Sequence, residues 1–394
     1  MWALISYLRQ AGHEVAVCHL SGPNYLDPSG ASQEARAVGL AGIGVPLHSV
    51  EIGRRLAPAR GALARAWRPL DAELFPTLLD AEAVLDTVTE VDPDAVFVYH
   101  WDALAASRLL RGRYPRLGTA GDLSHLVTLQ RWRFARKRLD RATIHRTLEL
   151  LAVLRRTPKL MVELLCECEA AGDFAAQHAA WLRAMGVEHC EYLRTPIPDP
   201  AGKWMCRRDE AQVSERPRVL LIGHLSGIAT LSGLRLFVRR ILPRLERELG
   251  PTGFEVRIVG GYEAPADLRE ELARPSVVFC GHVDPPDDEL RQATVLLVPT
   301  DVPLGVRVRI LTGFSFGACV VAHSSNALGI PELVHGENVL LGSSGEELAD
   351  GVVRAVRDPE LRARLQAAGR ETYERFFRPD AASAPIAAIL ERVV

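Results

Sequence analysis

Short runs of apolar and β-branched residues recur along the chain with amphipathic stretches between them, and this alternation limits the fold more than any other feature. A run such as Arg218-Val219-Leu220-Leu221-Ile222 has no polar alternation, so a strand built from it must be covered on both faces. Strands of that kind separated by helices form parallel sheets with helices packed on either side. In the first half the pattern predicts strands over residues 14–18, 95–99 and 116–120, and helices over 81–89, 103–111 and 124–154. In the second half it predicts strands over 218–222, 255–259, 277–280, 295–298 and 319–322. Helices are predicted over 231–249, 308–316, 345–357, 359–376 and 384–393.

The pattern lapses once. Pro196, Pro198 and Pro200 fall within five residues, and a polar stretch follows up to Pro217. Proline can continue neither a helix interior nor a central strand, so this stretch reads as a linker. The chain of 394 residues then divides into residues 1–200, a linker at 201–217, residues 218–376 and a closing segment at 377–394. Net charge is −2, and residues 1–200 hold 23 basic and 23 acidic side chains, so neither half is a dedicated nucleic-acid binder. Hydrophobic residues at 48% and charged residues at 24% exclude a mostly disordered chain. The seven cysteines show no zinc-type spacing and read as reduced thiols. No apolar run reaches the roughly 20 residues of a spanning helix, and the opening residues lack the basic region and cleavage site of a signal peptide. The expectation is a cytoplasmic protein.

Ligands of open α/β sheets collect beyond the carboxyl ends of the strands, which is where the chemistry-bearing residues should lie. The loop Gly223-His224-Leu225-Ser226-Gly227 joins a strand to a helix, where backbone N–H groups can approach a phosphate; any tight strand-to-helix turn uses glycine as well. Arg307 and Arg309 stand where a loop enters a helix, with Thr312 one turn on from Arg309. Cations at a helix start oppose the macrodipole unless an anion offsets them, and a diphosphate would do so; the alternative is a solvated surface pair. The loop from His323 to Glu332 runs into Pro331, a favoured first helical position. Glu332 could accept bonds from sugar hydroxyls or simply complement that helix start.

Taken in order, these segments resemble the family 4-type glycosyltransferases of the GT-B fold. The carriers are Gly223-His224-Leu225-Ser226, Val259-Gly260-Gly261, Gly281-His282-Val283-Asp284, the stretch 305–314, Gly317-Ala318-Cys319-Val320-Val321 and Gly329-Ile330-Pro331-Glu332. Gly336-Glu337-Asn338 and the stretch 358–370 complete the series. The first half is similar more loosely, through residues 8–15, Tyr99-His100-Trp101-Asp102 and the stretch 181–187. The resemblance implies an α/β protein of two Rossmann-like domains whose parallel sheets face an interdomain cleft. The second domain would hold a nucleotide-diphosphate sugar and the first an acceptor, with sugar transfer that retains anomeric configuration and needs no metal or other cofactor. Arg307 and Arg309 would hold the diphosphate, with Gly223, Leu225 and Ser226 beside it. His282 and Val283 would lie along the base. Thr312, Ser324, Asn326, Ala327, Leu328 and Glu332 would meet the ribose, phosphate or sugar, and His100 and Asp122 would line the acceptor side as catalytic residues. The closing helix would cross back onto the first domain.

Two departures from the family pattern accompany this. Leu304 and Thr312 stand where the family carries two glutamates eight positions apart. Against the family pattern the chain also opens inside a helix, so the expectation is either a wrongly placed chain start or a first sheet without its first strand and glycine-rich loop, with a gap or exposed edges there. These leave two other readings: a non-catalytic GT-B scaffold or partner subunit, and a sugar-nucleotide epimerase. The basic run 131–141, with Trp132 and Phe134, suits an anionic membrane surface or a solvated helix face, as does the run 54–68. Asp122 could equally cap the following helix.

Overall fold

In the computed structural model, which describes residues 1–21, 38–51, 82–135, 141–200 and 216–394, every strand pairing is parallel. Among those residues the strands form three sheets. β1 (Val17–Ser21) pairs with β2 (Leu47–Glu51). β3 (Val96–Tyr99), β4 (Arg116–Thr119), β5 (Ala170–Asp173) and β6 (Cys190–Tyr192) lie side by side in chain order. β7 (Arg218–Ile222), β8 (Glu255–Val259), β9 (Val277–Gly281), β10 (Val295–Val298), β11 (Val320–His323) and β12 (Leu340–Gly342) form the third, ordered β12-β11-β10-β7-β8-β9. The chain runs outward from β7 through β9, then returns to the other side of β7 with β10. The gap between β7 and β10 is therefore a switch point, where loops diverge and leave a crevice.

The chain divides into two compact units. One is Met1–Phe174 with His178–Leu193 and Ser383–Val394; the other is Ala175–Gln177 with Arg194–Ala382. The predicted linker lies almost wholly in residues 201–215, outside the described residues, as does the basic run 54–68.

In the second unit the two-face burial demanded by the sequence is met residue by residue. Val219, Leu221, Val256, Ile258, Val295 and Leu297 enter one core, with Leu234, Phe237, Leu245, Leu348 and Val352 from covering helices. Their neighbours Leu220, Val259, Leu296 and Val298 enter the other, against Leu290, Ile310, Phe314 and Tyr373. Successive residues of one strand thus feed opposite cores, the period-two geometry of a pleated strand. The helix Pro359–Phe376 serves both, through Leu361 and Leu365 on one side and Tyr373 on the other.

The first unit repeats the scheme on a smaller sheet. Val98 packs with Trp101, Leu104, Leu164 and Leu165, while Leu117 and Ala170 pack with Leu4, Ile386 and Ile389. The helices Trp2–Gln10 and Pro379–Val393 therefore cover one face together, and the end of the chain belongs to this unit. Among the described residues β1 pairs with β2 and β3 with β4, in two separate sheets. The helix Glu82–Val91 ties the two parts, because Val84 and Val88 share a cluster with Val50, Leu20 and Val96.

Sequence periodicity locates the strands rich in β-branched residues and misses β2, β5, β6 and β12. Ala170-Ala171-Gly172-Asp173 holds no strand-forming residue, and its place is set by pairing between β4 and β6. The long helix predicted over 124–154 is described as two, Ser124–Ala135 and Arg141–Cys166, with residues 136–140 outside the described set. Trp132, weighed as a membrane anchor, donates its indole N–H to Thr147 at 2.9 Å on the second of these helices. None of the described helices is long and apolar enough to cross a membrane.

Gly369, inside the helix Pro359–Phe376, sits against the fully buried ring of Phe314, where an added Cβ would come within 2.8 Å of Cδ1. Glycine to alanine in a helix interior ordinarily gains about 1 kcal/mol, but overpacking a rigid core ring costs about 1–3 kcal/mol. Gly369→Ala should therefore lower the unfolding free energy in urea, and an increase would contradict this packing.

Candidate functional site

β7 ends in the loop Gly223-His224-Leu225-Ser226-Gly227, which opens the helix Ile228–Leu236. Leu225 is buried and anchors the loop, while His224 and Ser226 are exposed and bond to one another, Nδ1 to Oγ, at 3.0 Å. Gly227 caps the helix without a side-chain acceptor, so its first-turn N–H groups have no side-chain cap. The loop is locked to its neighbours by backbone bonds from Gly223 N–H to Val259 O at 2.9 Å and from Leu225 N–H to Gly261 O at 3.1 Å. Gly260 allows this approach, since a Cβ there would overlap the Gly223 carbonyl.

Arg309, in the first turn of the helix Val308–Ser315, crosses to the same place. Its guanidinium donates to Ile222 O at 2.5 Å and to Thr230 Oγ1 at 3.2 Å, spanning the end of β7 and the start of the following helix. Burial, with the nearby charge of Arg307, pulls its pKa down to about 10, so it stays charged at neutral pH at an energetic cost. Both partners are neutral dipoles. A cation held this way at the switch point, beside a helix start, is an electrostatic arrangement completed by an anion. Arg307 donates to Val302 O at 3.1 Å, which folds it back on its own loop.

Thr312 lies one turn beyond Arg309 and is half-buried. Leu304 is buried in the core, so no carboxylate stands at either position. At the end of β11, Asn326 is buried and both its amide bonds are internal, to Thr300 O at 3.2 Å and His323 O at 2.7 Å. It thus braces the ends of β10 and β11, while Ser324 and Ala327 are half-buried and Leu328 is exposed. The carboxylate of Glu332 accepts from Arg194 Nε at 2.7 Å and is almost wholly buried. His282 is exposed beyond β9, and Val283 leans on the second core.

In the first unit His100 follows β3 directly and takes φ 83, a left-handed conformation costly for a side-chain-bearing residue. Its ring lies 3.3 Å from where a Cβ on Gly121 would stand, so the ends of β3 and β4 bring His100 against the residue that precedes Asp122. Asp122 and Asp173 also add to the burial that raises the pKa of Tyr99. Behind them is a cluster that sequence reasoning missed. His178 Nδ1 lies 3.4 Å from Asp173 Oδ1, both nearly inaccessible, and the buried His125 ring lies 5.2 Å from that of Trp181. No local motif announces this group, because the fold assembles it from β5 and two helices, Ser124–Ala135 and Ala176–Ala184.

Burial, and secondly the neighbouring His178, push the pKa of His125 down from 6.5 to about 4. As pH falls below 6.5 the unfolded chain binds a proton on His125 that the folded chain refuses until about 4. Stability is therefore lost progressively across that window. In His125→Phe the fall of unfolding free energy between pH 6.5 and 4 should be shallower than in the parent, as read by urea unfolding at each pH. An unchanged slope would mean that His125 titrates alike in both states.

Residues 216–358 match the family described as glycosyl transferases group 1. No curated protein matches the chain in sequence. Solved structures resemble it over nearly all its length. Sucrose-phosphate synthase from Thermosynechococcus elongatus superposes with a TM-score of 0.66 at 16% identity, covering 96% of this chain and 99% of that one. Alr3699/HepE from Anabaena, solved with UDP, gives 0.68 at 15% identity, covering 99% and 95%. A UDP-forming α,α-trehalose-phosphate synthase from Burkholderia vietnamiensis gives 0.59 at 11% identity, covering 95% and 99%.

Proposed function

We propose that this chain, which has the GT-B fold and whose residues 216–358 match the group 1 glycosyl transferases, transfers a sugar, with retention of configuration, from a nucleotide-diphosphate donor to an acceptor. The observation that carries the proposal is Arg309, a desolvated cation with neutral partners, held against the glycine-rich loop at the β7–β10 switch point. Transfer breaks the bond between the sugar and the diphosphate, so negative charge grows on the departing phosphate oxygen. A preorganised guanidinium and the uncapped N–H groups of the helix Ile228–Leu236 lower the energy of that charge as it develops. In this reading Arg309, rather than a metal ion, neutralises the leaving group. The UDP and UDP-glucose bound by Alr3699/HepE support the class of donor. His100, with its strained backbone, and Asp122, next in the chain to the Gly121 that His100 packs on, hold the acceptor in the first unit.

A second reading is favoured by Leu304 and Thr312, which leave the donor helix without a carboxylate: a sugar-nucleotide-binding subunit that does not turn over. Calorimetric titration of the full chain with UDP-, GDP- and dTDP-sugars tests both, combined with assay of released nucleoside diphosphate. Binding with release supports the enzyme, binding without release in the presence of varied acceptors supports the subunit, and no binding to any donor overturns both. Arg309→Ala should weaken donor binding by about 1.5–3 kcal/mol, the worth of a charge-assisted hydrogen bond. Unchanged affinity would remove Arg309 from the phosphate site.

A further inference from the structure

Tyr262 follows the Gly260-Gly261 pair at the end of β8, and it is one of the few residues other than glycine with positive φ among those described, at 69°. Its ring is not sheltered: the residue is 60% exposed. A bulky side chain in the left-handed region costs about 1–2 kcal/mol, and solvent exposure of the ring returns nothing to the fold. The ring is nonetheless placed, lying 4.1 Å centroid to centroid from the imidazole of His224 at 36°. His282, on the adjoining loop after β9, flanks the same spot, its Nδ1 being 3.7 Å from where a Cβ on Gly261 would stand.

The placement of this stack matters. Gly261 accepts the Leu225 N–H at 3.1 Å, so Tyr262 is fixed to the loop that runs from Gly223 to the helix start. Arg309 closes on the other side of that loop, its Nη1 being 2.7 Å from where a Cβ on Gly223 would stand. One rim of the sheet thus carries a cation at the end of β7 and, beyond the neighbouring β8, an exposed aromatic face backed by an imidazole. A ligand that uses both has an anionic part and a planar part joined by a short link, which describes a nucleoside diphosphate.

We infer that Tyr262, backed by His224, is the stacking shelf for the nucleobase of the donor, with the diphosphate directed toward Arg309. This rests on the nucleotide-sugar reading above and adds a residue that selects for the planar base rather than for the phosphates. Stacking tolerates any base, so the shelf supplies affinity common to uracil and guanine, and the loop after β9 is left to distinguish them.

The test is calorimetric titration of the full chain with UDP, GDP and inorganic pyrophosphate, alongside thermal unfolding. Tyr262→Ala should weaken UDP and GDP by roughly tenfold or more and leave pyrophosphate unchanged. Tyr262→Phe should bind like the parent, because the face rather than the hydroxyl is used. Tyr262→Gly should weaken the nucleotides as alanine does while raising Tm, because glycine relieves the left-handed backbone. If the parent binds UDP or GDP and Tyr262→Ala binds them equally well, the shelf is overturned and the donor reading stands. If pyrophosphate weakens as much as the nucleotides, Tyr262 shapes the phosphate loop and the shelf is likewise overturned. If the parent binds neither nucleotide, the donor reading falls and the shelf with it.

Discussion

The second unit depends on one constraint, the need to bury both faces of a parallel sheet. β7 has an apolar side chain at nearly every position, and Val219, Leu220 and Leu221 alternate between two separate cores. With both faces and both edges of β7 occupied, its ends alone are open to ligands. The amino end meets the pairing of Glu255 N–H with Pro217 O, and the carboxyl end diverges from β10 into the Gly223 loop. Arg309 donating to Ile222 O is a consequence of this arrangement: the last carbonyl of β7 points into the crevice left by the switch in strand order.

The cost of the arrangement falls on charge and backbone conformation. Arg309 is desolvated enough to lower its pKa, and a carbonyl and a hydroxyl answer it where a carboxylate would quench its field. Arg370 makes the contrast within the same unit. It is more deeply buried, but it is matched by Glu374 at 2.7 Å and Asp199 at 3.6 Å and donates to Ser315 O, so its charge is spent on holding helices together. The two arginines differ in what was left for a ligand to supply.

Much of this was legible in the sequence where the signal is local. The strands over 218–222, 255–259 and 295–298 match their observed bounds, because β-branched runs of that length have few other uses. Arg309 beside the Gly223 loop follows from placing both at strand ends. Other features depend on long-range contact and left no mark. Ala170-Ala171-Gly172-Asp173 becomes a strand only because β4 and β6 flank it. Glu332 reads as a sugar ligand until Arg194, far away in the chain, is found on its carboxylate. The amide of Asn326 likewise turns inward to brace two strand ends. The His125, His178 and Asp173 group joins residues that share no spacing rule, so only the fold could reveal it.

Backbone strain shows the same division between fold and site. Among the described residues, three other than glycine have positive φ: Asp92, His100 and Tyr262. Asp92 ends a helix, where a left-handed residue stops the turn at little cost because a short polar side chain tolerates it. His100 and Tyr262 have no such excuse. Each is a ring-bearing residue, the first directly beyond β3 and the second three residues beyond β8, at the carboxyl ends of two different sheets. A fold selected only for stability would place glycine at both positions, as it does at Gly121 beyond β4 and at Gly281, the last residue of β9. The rings are therefore retained against the local preference of the chain, and they stand at the two places where parallel sheets present ligands.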